Sequence, residues 1–132
     1  MVRSATLMLL PLVACLWQLP TPAGAAEINL AGDYQCDGVY SSGGAYTYQV
    51  RITKRGETYH VKWTSPSDKK YLVEGVGILK DNTLAVGFDG STKGVALFFV
   101  EKGGQGPKLV GNWSGNPGDG TLGRETLNFL KP

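Results

Sequence analysis

The chain has 132 residues, 18% of them charged and 42% hydrophobic, and its formal net charge at pH 7 is +2. This length suits one domain with a modest hydrophobic core. The basic residues are scattered and nearly balanced by acidic ones, 13 against 11, so the sequence predicts no basic face and no nucleic acid partner.

Residues 1–26 have the pattern of a secretory signal peptide. Arg3 is the only charged residue among them, an apolar run follows it, and small residues end the segment. The apolar run is too short to cross a bilayer as a stable helix, whereas a signal peptide needs only a basic start, an apolar centre and a small-residue exit. We therefore expect cleavage after Ala25 or Ala26, export to the periplasm or beyond the cell, and one mature domain over 27–132.

An alternative lies inside this segment, because Leu12-Val13-Ala14-Cys15 resembles a bacterial lipobox. In lipoproteins that cysteine is acylated and becomes the new N-terminus, and two acyl chains would anchor the protein to a membrane. Leu16 and Trp17 stand where lipoproteins usually carry small polar residues. Cleavage after the alanines is therefore preferred, and a membrane is expected as a partner only if Cys15 is lipidated.

From residue 28 to 130 the chain is a series of short alternating segments closed by glycine-rich turns. In the first segment Ile28, Leu30 and Tyr34 share one parity, and the polar Asn29 and Asp33 share the other. A period of two is typical of a strand with one buried and one solvated face. The pattern recurs about eight times with no helical period between, which predicts an all-β antiparallel domain.

Eight short strands joined by short turns predict an up-and-down meander that closes into a small barrel, because closure removes both exposed sheet edges. Two Leu-x-Gly-x-aromatic segments, 30–34 and 109–113, support closure. A glycine two residues before an aromatic lets the ring lie against the backbone where a barrel curves. A β-sandwich is the alternative, but it needs long Greek-key connections that the sequence does not show.

Two segments, 71–79 and 95–100, are apolar on both parities. A strand of this kind is either covered on both sides or part of an interface. The sequence alone leaves these two possibilities open.

The residue types that carry catalysis are few and scattered. Cys36 is the one cysteine of 27–132 and shares the apolar parity, so we expect a buried, inert thiol. The one histidine, His60, lies on a polar parity and is expected at the surface. No spacing indicates a metal site, a phosphate loop or paired carboxylates for hydrolysis. The sequence therefore predicts no catalytic residue, no metal and no cofactor.

Two resemblances follow from the motifs. The Gly-x-Tyr and Gly-x-Trp segments resemble those of the calycin superfamily of lipocalin- and avidin-like barrels. Six further motifs occur in a fixed order: ITKRGETYHVKW at 52–63, GVGIL at 75–79, LAVGF at 84–88, GVAL at 94–97, LVGNW at 109–113 and ETL at 125–127. This set resembles a family of small exported bacterial proteins labelled fibronectin-binding protein, and it covers nearly all of 27–132. The resemblance implies an exported protein-binding barrel and assigns no binding residues.

We expect an exported, non-enzymatic binding protein, adhesin-like, with an extracellular or periplasmic protein such as fibronectin as its partner. The alternatives are a small-molecule carrier that uses the barrel interior and an inhibitor or accessory of a periplasmic enzyme. An internal void would favour the carrier, and an exposed apolar or aromatic patch would favour the other two. The loop 40–46 is the candidate protein surface, because tyrosines that flank small flexible residues suit protein contacts. The remaining candidates line the barrel or form its core, and the full set is Tyr40, Tyr46, Tyr48, Tyr59, Trp63, Tyr71 and Trp113.

The signal pattern predicts a defined mature N-terminus. Protein made in a bacterial host is expected to start at Ala26 or Glu27, which intact-mass spectrometry measures directly. A diacylated start at Cys15 would replace this interpretation with a membrane anchor, and an unprocessed chain would contradict export altogether.

Overall fold

The computed structural model describes residues 28–68, 70–115 and 118–132, apart from the side chain of Tyr71. The predicted signal peptide and the candidate lipidation site Cys15 lie outside the described residues. Within those described ranges, the structure has no helix that is long and apolar enough to span a membrane.

The fold is a closed barrel of eight antiparallel strands, each paired with the next along the chain, and β8 returns to pair with β1. The predicted all-β meander barrel is thus confirmed, and the sandwich alternative is not what forms. The strands are β1 Gly32–Val39, β2 Ala45–Arg55, β3 Thr58–Thr64, β4 Tyr71–Lys80, β5 Thr83–Gly90, β6 Gly94–Lys102, β7 Pro107–Gly115 and β8 Gly123–Lys131.

The core occupies the barrel interior and is built from the apolar parity of every strand that the sequence pattern marks. On β3, for example, Tyr59, Val61 and Trp63 are buried while the side chains between them are half-exposed. Cys36 is fully buried, as its parity predicts. The buried apolar side chains are Leu30, Tyr34, Cys36, Val50, Ile52, Tyr59, Val61, Trp63, Leu84, Val86, Ala96, Phe98, Leu109 and Leu127.

One end of the barrel is closed by the residues that precede β1. Leu30 is fully buried there, and its carbonyl oxygen accepts a hydrogen bond of 2.8 Å from the Tyr34 hydroxyl. The Tyr59 hydroxyl donates to the Ile28 carbonyl at 3.2 Å. The Phe129 ring packs edge-on against Tyr34, with 5.4 Å between ring centroids. These contacts fill the closed end with side chains, as the small radius of an eight-stranded barrel allows.

The opposite end carries the β1–β2, β3–β4, β5–β6 and β7–β8 connections, and it is built differently. Its inward side chains are large aromatics, several of which are only half-buried. A tight turn forms the first connection, where Tyr40 donates from its backbone N–H to the Gly44 carbonyl at 2.8 Å. The barrel is therefore a cup with one filled end and one aromatic end.

An apolar patch lies on the outside of the barrel, and we call it the outer apolar face. It consists of Val76 and Ile78 on β4 and of Val95, Leu97 and Phe99 on β6, which are between 46% and 63% exposed. The sequence left open whether these strands are covered on both sides or form an interface. In this structure their outer sides face solvent.

Candidate functional site

A cavity of about 230 Å³ opens at the aromatic end of the barrel. We call it the aromatic cavity. Five of the seven residues that the sequence singled out line it, and two hydroxyl residues, Ser91 and Thr92, stand at its edge. Its described lining is Tyr40, Tyr46, Tyr48, Trp63, Leu72, Val73, Phe88, Ser91, Thr92, Ala96, Trp113 and Glu125.

Six aromatic rings follow one another around this cavity. Tyr48 lies 4.9 Å from Tyr46, centroid to centroid, and Tyr46 lies 4.5 Å from Tyr40. Tyr40 meets Trp113 edge-on at 6.1 Å. The circuit then continues through Phe88, which is 6.5 Å from Trp113 and 6.1 Å from Trp63. Each separation lies within the range of favourable ring pairs, so the rings hold one another in place.

Two glycines on neighbouring strands seat two of these rings. Tyr46 pairs with Gly38 across β1 and β2, and a Cβ atom at Gly38 would overlap the tyrosine ring. Trp113 pairs with Gly123 across β7 and β8, where a Cβ would overlap the indole in the same way. Both rings therefore lie flat against backbone, which is the close approach that only glycine permits. The absence of side chains at Gly38 and Gly123 therefore allows the Tyr46 and Trp113 rings to form part of the cavity wall.

Glu125 lies at the buried side of the cavity and retains 8% of its exposure. Among the described residues it is the one buried side chain that is charged or polar. Its Oε1 accepts a hydrogen bond from the Tyr46 hydroxyl at 2.9 Å, and its Oε2 accepts one from Trp63 Nε1 at 3.3 Å. Trp113 Nε1 donates to the Tyr46 hydroxyl at 2.7 Å, which links a second indole to the same carboxyl group.

The buried environment sets the protonation of this network. Burial raises the pKa of Glu125 above its ordinary value, and hydrogen bonds from Tyr46, Trp63 and Cys36 oppose that shift. Burial and the neighbouring Glu125 raise the pKa of the Cys36 thiol and of Tyr46, so both stay protonated at neutral pH. A hydrogen bond with Tyr40 raises the pKa of Tyr48 to about 12. Glu125 is thus the group of this network that ionises first as pH rises, while Cys36, Tyr46 and Tyr48 stay protonated.

The sequence-predicted residues divide between the two ends of the barrel. Tyr40, Tyr46, Tyr48, Trp63 and Trp113 all meet at the aromatic cavity. Tyr59 lies instead at the closed end, where it is buried and bonded to Ile28. Tyr71 begins β4 opposite Thr64, and its side chain lies outside the described residues. The loop tyrosines 40 and 46, predicted as a protein-contact surface, contribute their rings to the wall of the cavity.

Sequence reasoning missed Glu125 and Phe88 as members of the site. Both share the inward parity of their strands, since Glu125 alternates with the buried Gly123 and Leu127. The signal for Glu125 in the sequence is an acidic residue at a strand position where the alternating pattern places apolar residues. The sequence pattern does not identify the neighbours of Glu125, because they come from four other strands, β1, β2, β3 and β7.

Among the described residues, the remaining side chains of catalytic or metal-binding type do not form a second site. His60 Nε2 lies 3.1 Å from Glu74 Oε2 on the outer surface, so the histidine that the sequence placed at the surface has a carboxylate partner. Within residues 28–68, 70–115 and 118–132, no group of three or more His, Cys, Asp or Glu side chains is placed to hold a metal ion.

Comparisons with known proteins give information on the fold only. No family model and no curated protein matches the chain. Among solved structures, 8 chains match. One is a redesigned beta barrel that superimposes with a TM-score of 0.65 at 17% identity, over 77% of this chain and 92% of that one. At this level of identity the likeness shows a shared barrel fold and carries no information on function.

The raised pKa of Glu125 predicts a pH-dependent stability. Because the folded state holds this proton more tightly than the unfolded chain, the contribution of Glu125 to the free energy of unfolding is greatest below its ordinary pKa of 4.5. That contribution is lost as pH rises towards the folded pKa, by about 1.4 kcal/mol for each pH unit between the two values. The wild type should therefore lose stability relative to Glu125→Gln as pH rises from 4.5 through the folded pKa of Glu125.

Denaturant unfolding at several pH values measures this difference. Glu101→Gln is the matched control, since Glu101 is exposed on β6 and its removal should leave the pH profile close to that of the wild type. Parallel profiles for the wild type and Glu125→Gln would show that Glu125 titrates normally.

Proposed function

We propose that this protein is a non-enzymatic binding protein that takes a small molecule into the aromatic cavity. The observation that carries the proposal is the concave space of about 230 Å³, walled by six aromatic rings and containing one buried carboxyl group. Small-molecule sites are typically concave and mostly apolar, with a few placed polar groups that fix orientation. This is the carrier alternative of the sequence analysis, for which an internal void is the discriminating observation.

The contrast between the two ends of the barrel supports this proposal. At the closed end Tyr34 and Leu30 are fully buried, and their contacts leave the interior filled. At the aromatic end the same barrel radius holds larger side chains and still leaves space. The volume is below the range of about 300–1,000 Å³ that is usual for drug-sized ligands, so we propose a small ligand or one small group of a larger one.

The rigidity of the walls also supports binding. The Tyr46 ring is fixed by its seat on Gly38, by its bond to Glu125 and by the bond from Trp113 Nε1. Side chains that are already ordered lose little conformational entropy when a ligand binds. We further propose, from the pattern of residues 1–26, that this binding takes place outside the cytoplasm.

A substitution that occupies the cavity tests the proposal. Ala96 on β6 lines the cavity and is 5% exposed, whereas Ala85 on the adjacent β5 points outward. A panel of small metabolites at about 100 times their Kd should stabilise the wild type by about 2.7 kcal/mol, measured as a rise in Tm. Ala96→Leu should lose this stabilisation because the added side chain takes the space of the ligand, and Ala85→Leu should keep it. If no compound shifts the wild type, or if Ala96→Leu responds equally, the cavity is not a binding site.

Protein binding is the second candidate function, and the outer apolar face favours it. The face is continuous, because Ile78 pairs with Ala85, which pairs with Leu97, and Val76 reaches Val95 through Gly87 in the same way. The small residues of β5 thus form the floor of a groove between two apolar ridges. Soluble monomers rarely expose large contiguous apolar patches unless these have a partner.

The motif resemblance to exported proteins labelled fibronectin-binding makes fibronectin the first partner to test. Leu97→Ser should weaken binding at least about tenfold if the face is the contact surface, because burying a leucine side chain is worth about 1.5–3 kcal/mol and serine loses this contribution. Thr53→Ser, at an exposed position of β2, is the control. Surface plasmon resonance with immobilised fibronectin measures both, and wild-type affinity in Leu97→Ser would remove the face from this candidate function.

A further inference from the structure

We infer that the aromatic cavity selects small organic cations, either protonated amines or quaternary ammonium groups, and holds the positive charge between its ring faces and Glu125. This inference rests on the proposed function, since it names the chemical class of ligand that the same site would take. Three observations carry it: the charge of the lining, the arrangement of the rings and the position of the carboxyl group.

The charge of the lining excludes one class of ligand and favours another. Among the described residues that line the cavity, Glu125 is the one with an ionisable carboxyl group, and there is no lysine, arginine or histidine. An anion would meet a carboxyl group and phenolic oxygens with no positive partner, and burial makes an unpaired charge costly. A cation would meet a carboxyl group, phenolic oxygens and aromatic rings among the lining side chains.

Six aromatic rings line this space, and three of them belong to tyrosines that also carry hydroxyl oxygens. Tyrosine and tryptophan attract cations through the negative potential of the ring face, and tryptophan is the strongest of the aromatic residues in this respect. Two tryptophans and three tyrosines line one cavity here, with ring centroids spaced 4.5–6.5 Å along the circuit. An ammonium group has no preferred bonding direction once it is methylated, so a cage of several rings suits it better than one directed hydrogen bond.

Glu125 has acceptor capacity left for such a ligand. Each carboxylate oxygen can accept two hydrogen bonds. The Tyr46 hydroxyl occupies one position on Oε1, Trp63 Nε1 occupies one on Oε2, and the Cys36 thiol occupies a third. Glu125 also lines the cavity. The three donors fix its orientation, and a cation in the cavity would find a carboxylate that is already aligned.

Cation binding would also couple to the protonation of Glu125, because a nearby positive charge favours the ionised carboxylate. The titratable groups that face Glu125 are Cys36 from β1 and Tyr46 and Tyr48 from β2. Trp63 from β3 and Trp113 from β7 carry no charge. The neighbouring groups stay protonated through the neutral range, so affinity for a permanent cation should rise with pH as Glu125 ionises.

The test compares ligands that differ in charge and share a shape. Choline and its uncharged isostere 3,3-dimethylbutan-1-ol are titrated into the purified protein by isothermal titration calorimetry, and 3,3-dimethylbutanoate is the anionic probe. We expect choline to bind at least about tenfold more tightly than the isostere, since a buried charged interaction of this kind is worth about a factor of ten or more. The anion should show no binding. Choline affinity should increase as pH rises from 4.5 through the raised pKa of Glu125.

Two variants distinguish the contribution of the Glu125 carboxyl group to binding from its contribution to folding. Glu125→Gln keeps the size of the side chain and should reduce the preference for choline over the isostere at least about tenfold, as well as removing its pH dependence. Glu101→Gln, which removes an exposed carboxylate, should change neither quantity. If Glu125→Gln does not fold, the comparison of the three probes on the wild type still decides the inference.

The outcomes distinguish this inference from the proposed function. Equal affinity for choline and the isostere, with Ala96→Leu binding neither, would overturn cation selection and leave small-molecule binding standing. Preferential binding of the anion would also overturn it. No binding of any probe would overturn the inference, and the metabolite panel would then decide the proposed function separately.

Discussion

Pairing between the first and last strands is the constraint on which this structure depends. It places Gly38 of β1 next to Glu125 of β8, and the β1–β2 pairing places Tyr46 on the other side of the same glycine. Because Gly38 has no side chain, the Tyr46 ring lies across it and its hydroxyl reaches the carboxyl group one strand further along. Without closure β1 and β8 would be separate edges, and the tyrosine and the glutamate that build the cavity would not meet. A methyl group at Gly38 would block the same contact even in a closed barrel.

Among the described interior residues, the stability of the fold least explains the presence of Glu125. A leucine at this position would fill space in a barrel whose other half is filled with apolar side chains. A carboxyl group in the same place carries a desolvation cost, and only its hydrogen bonds offset it. Among the described residues no buried side-chain nitrogen or oxygen lacks a hydrogen-bond partner, but the pKa of Glu125 stays raised, so these bonds offset the desolvation cost only in part. Residues that oppose the simplest packing of a core tend to lie at functional sites, and this one lies at the cavity.

The sequence predicts the side of the sheet on which a residue lies and says less about its height in the barrel. Tyr59 and Trp63 share a parity on β3, but four residues separate them by about 13 Å along the strand. They therefore belong to opposite ends, Tyr59 to the filled end and Trp63 to the cavity. Alternation alone predicts that Tyr46, Tyr48 and Trp113 point into the barrel. Their contacts around Glu125 depend instead on the register between strands that are distant in sequence.

The glycine–aromatic motifs illustrate the same limit. The sequence pattern predicts that an aromatic two residues after Gly32 or Gly111 lies against the backbone. In the structure a Cβ at Gly32 would meet Phe129, and one at Gly111 would meet Phe98. The rings that approach these glycines therefore come from neighbouring strands. Pairing register decides such contacts, and a pattern within one strand carries no information on register.

The filled end of the barrel limits how any occupant of the cavity could move. Among the described residues Ile28, Leu30 and Tyr34 close one end, and the cavity opens at the other end, beside the half-exposed Tyr40. Under the proposed function, a bound molecule would leave on the side from which it arrived. Such a barrel would hold a compound and release it on the same side, and it would not pass the compound through. Exchange would be governed by the few side chains around the mouth, so the time for which a compound stays and the strength with which it is held could be altered independently of each other.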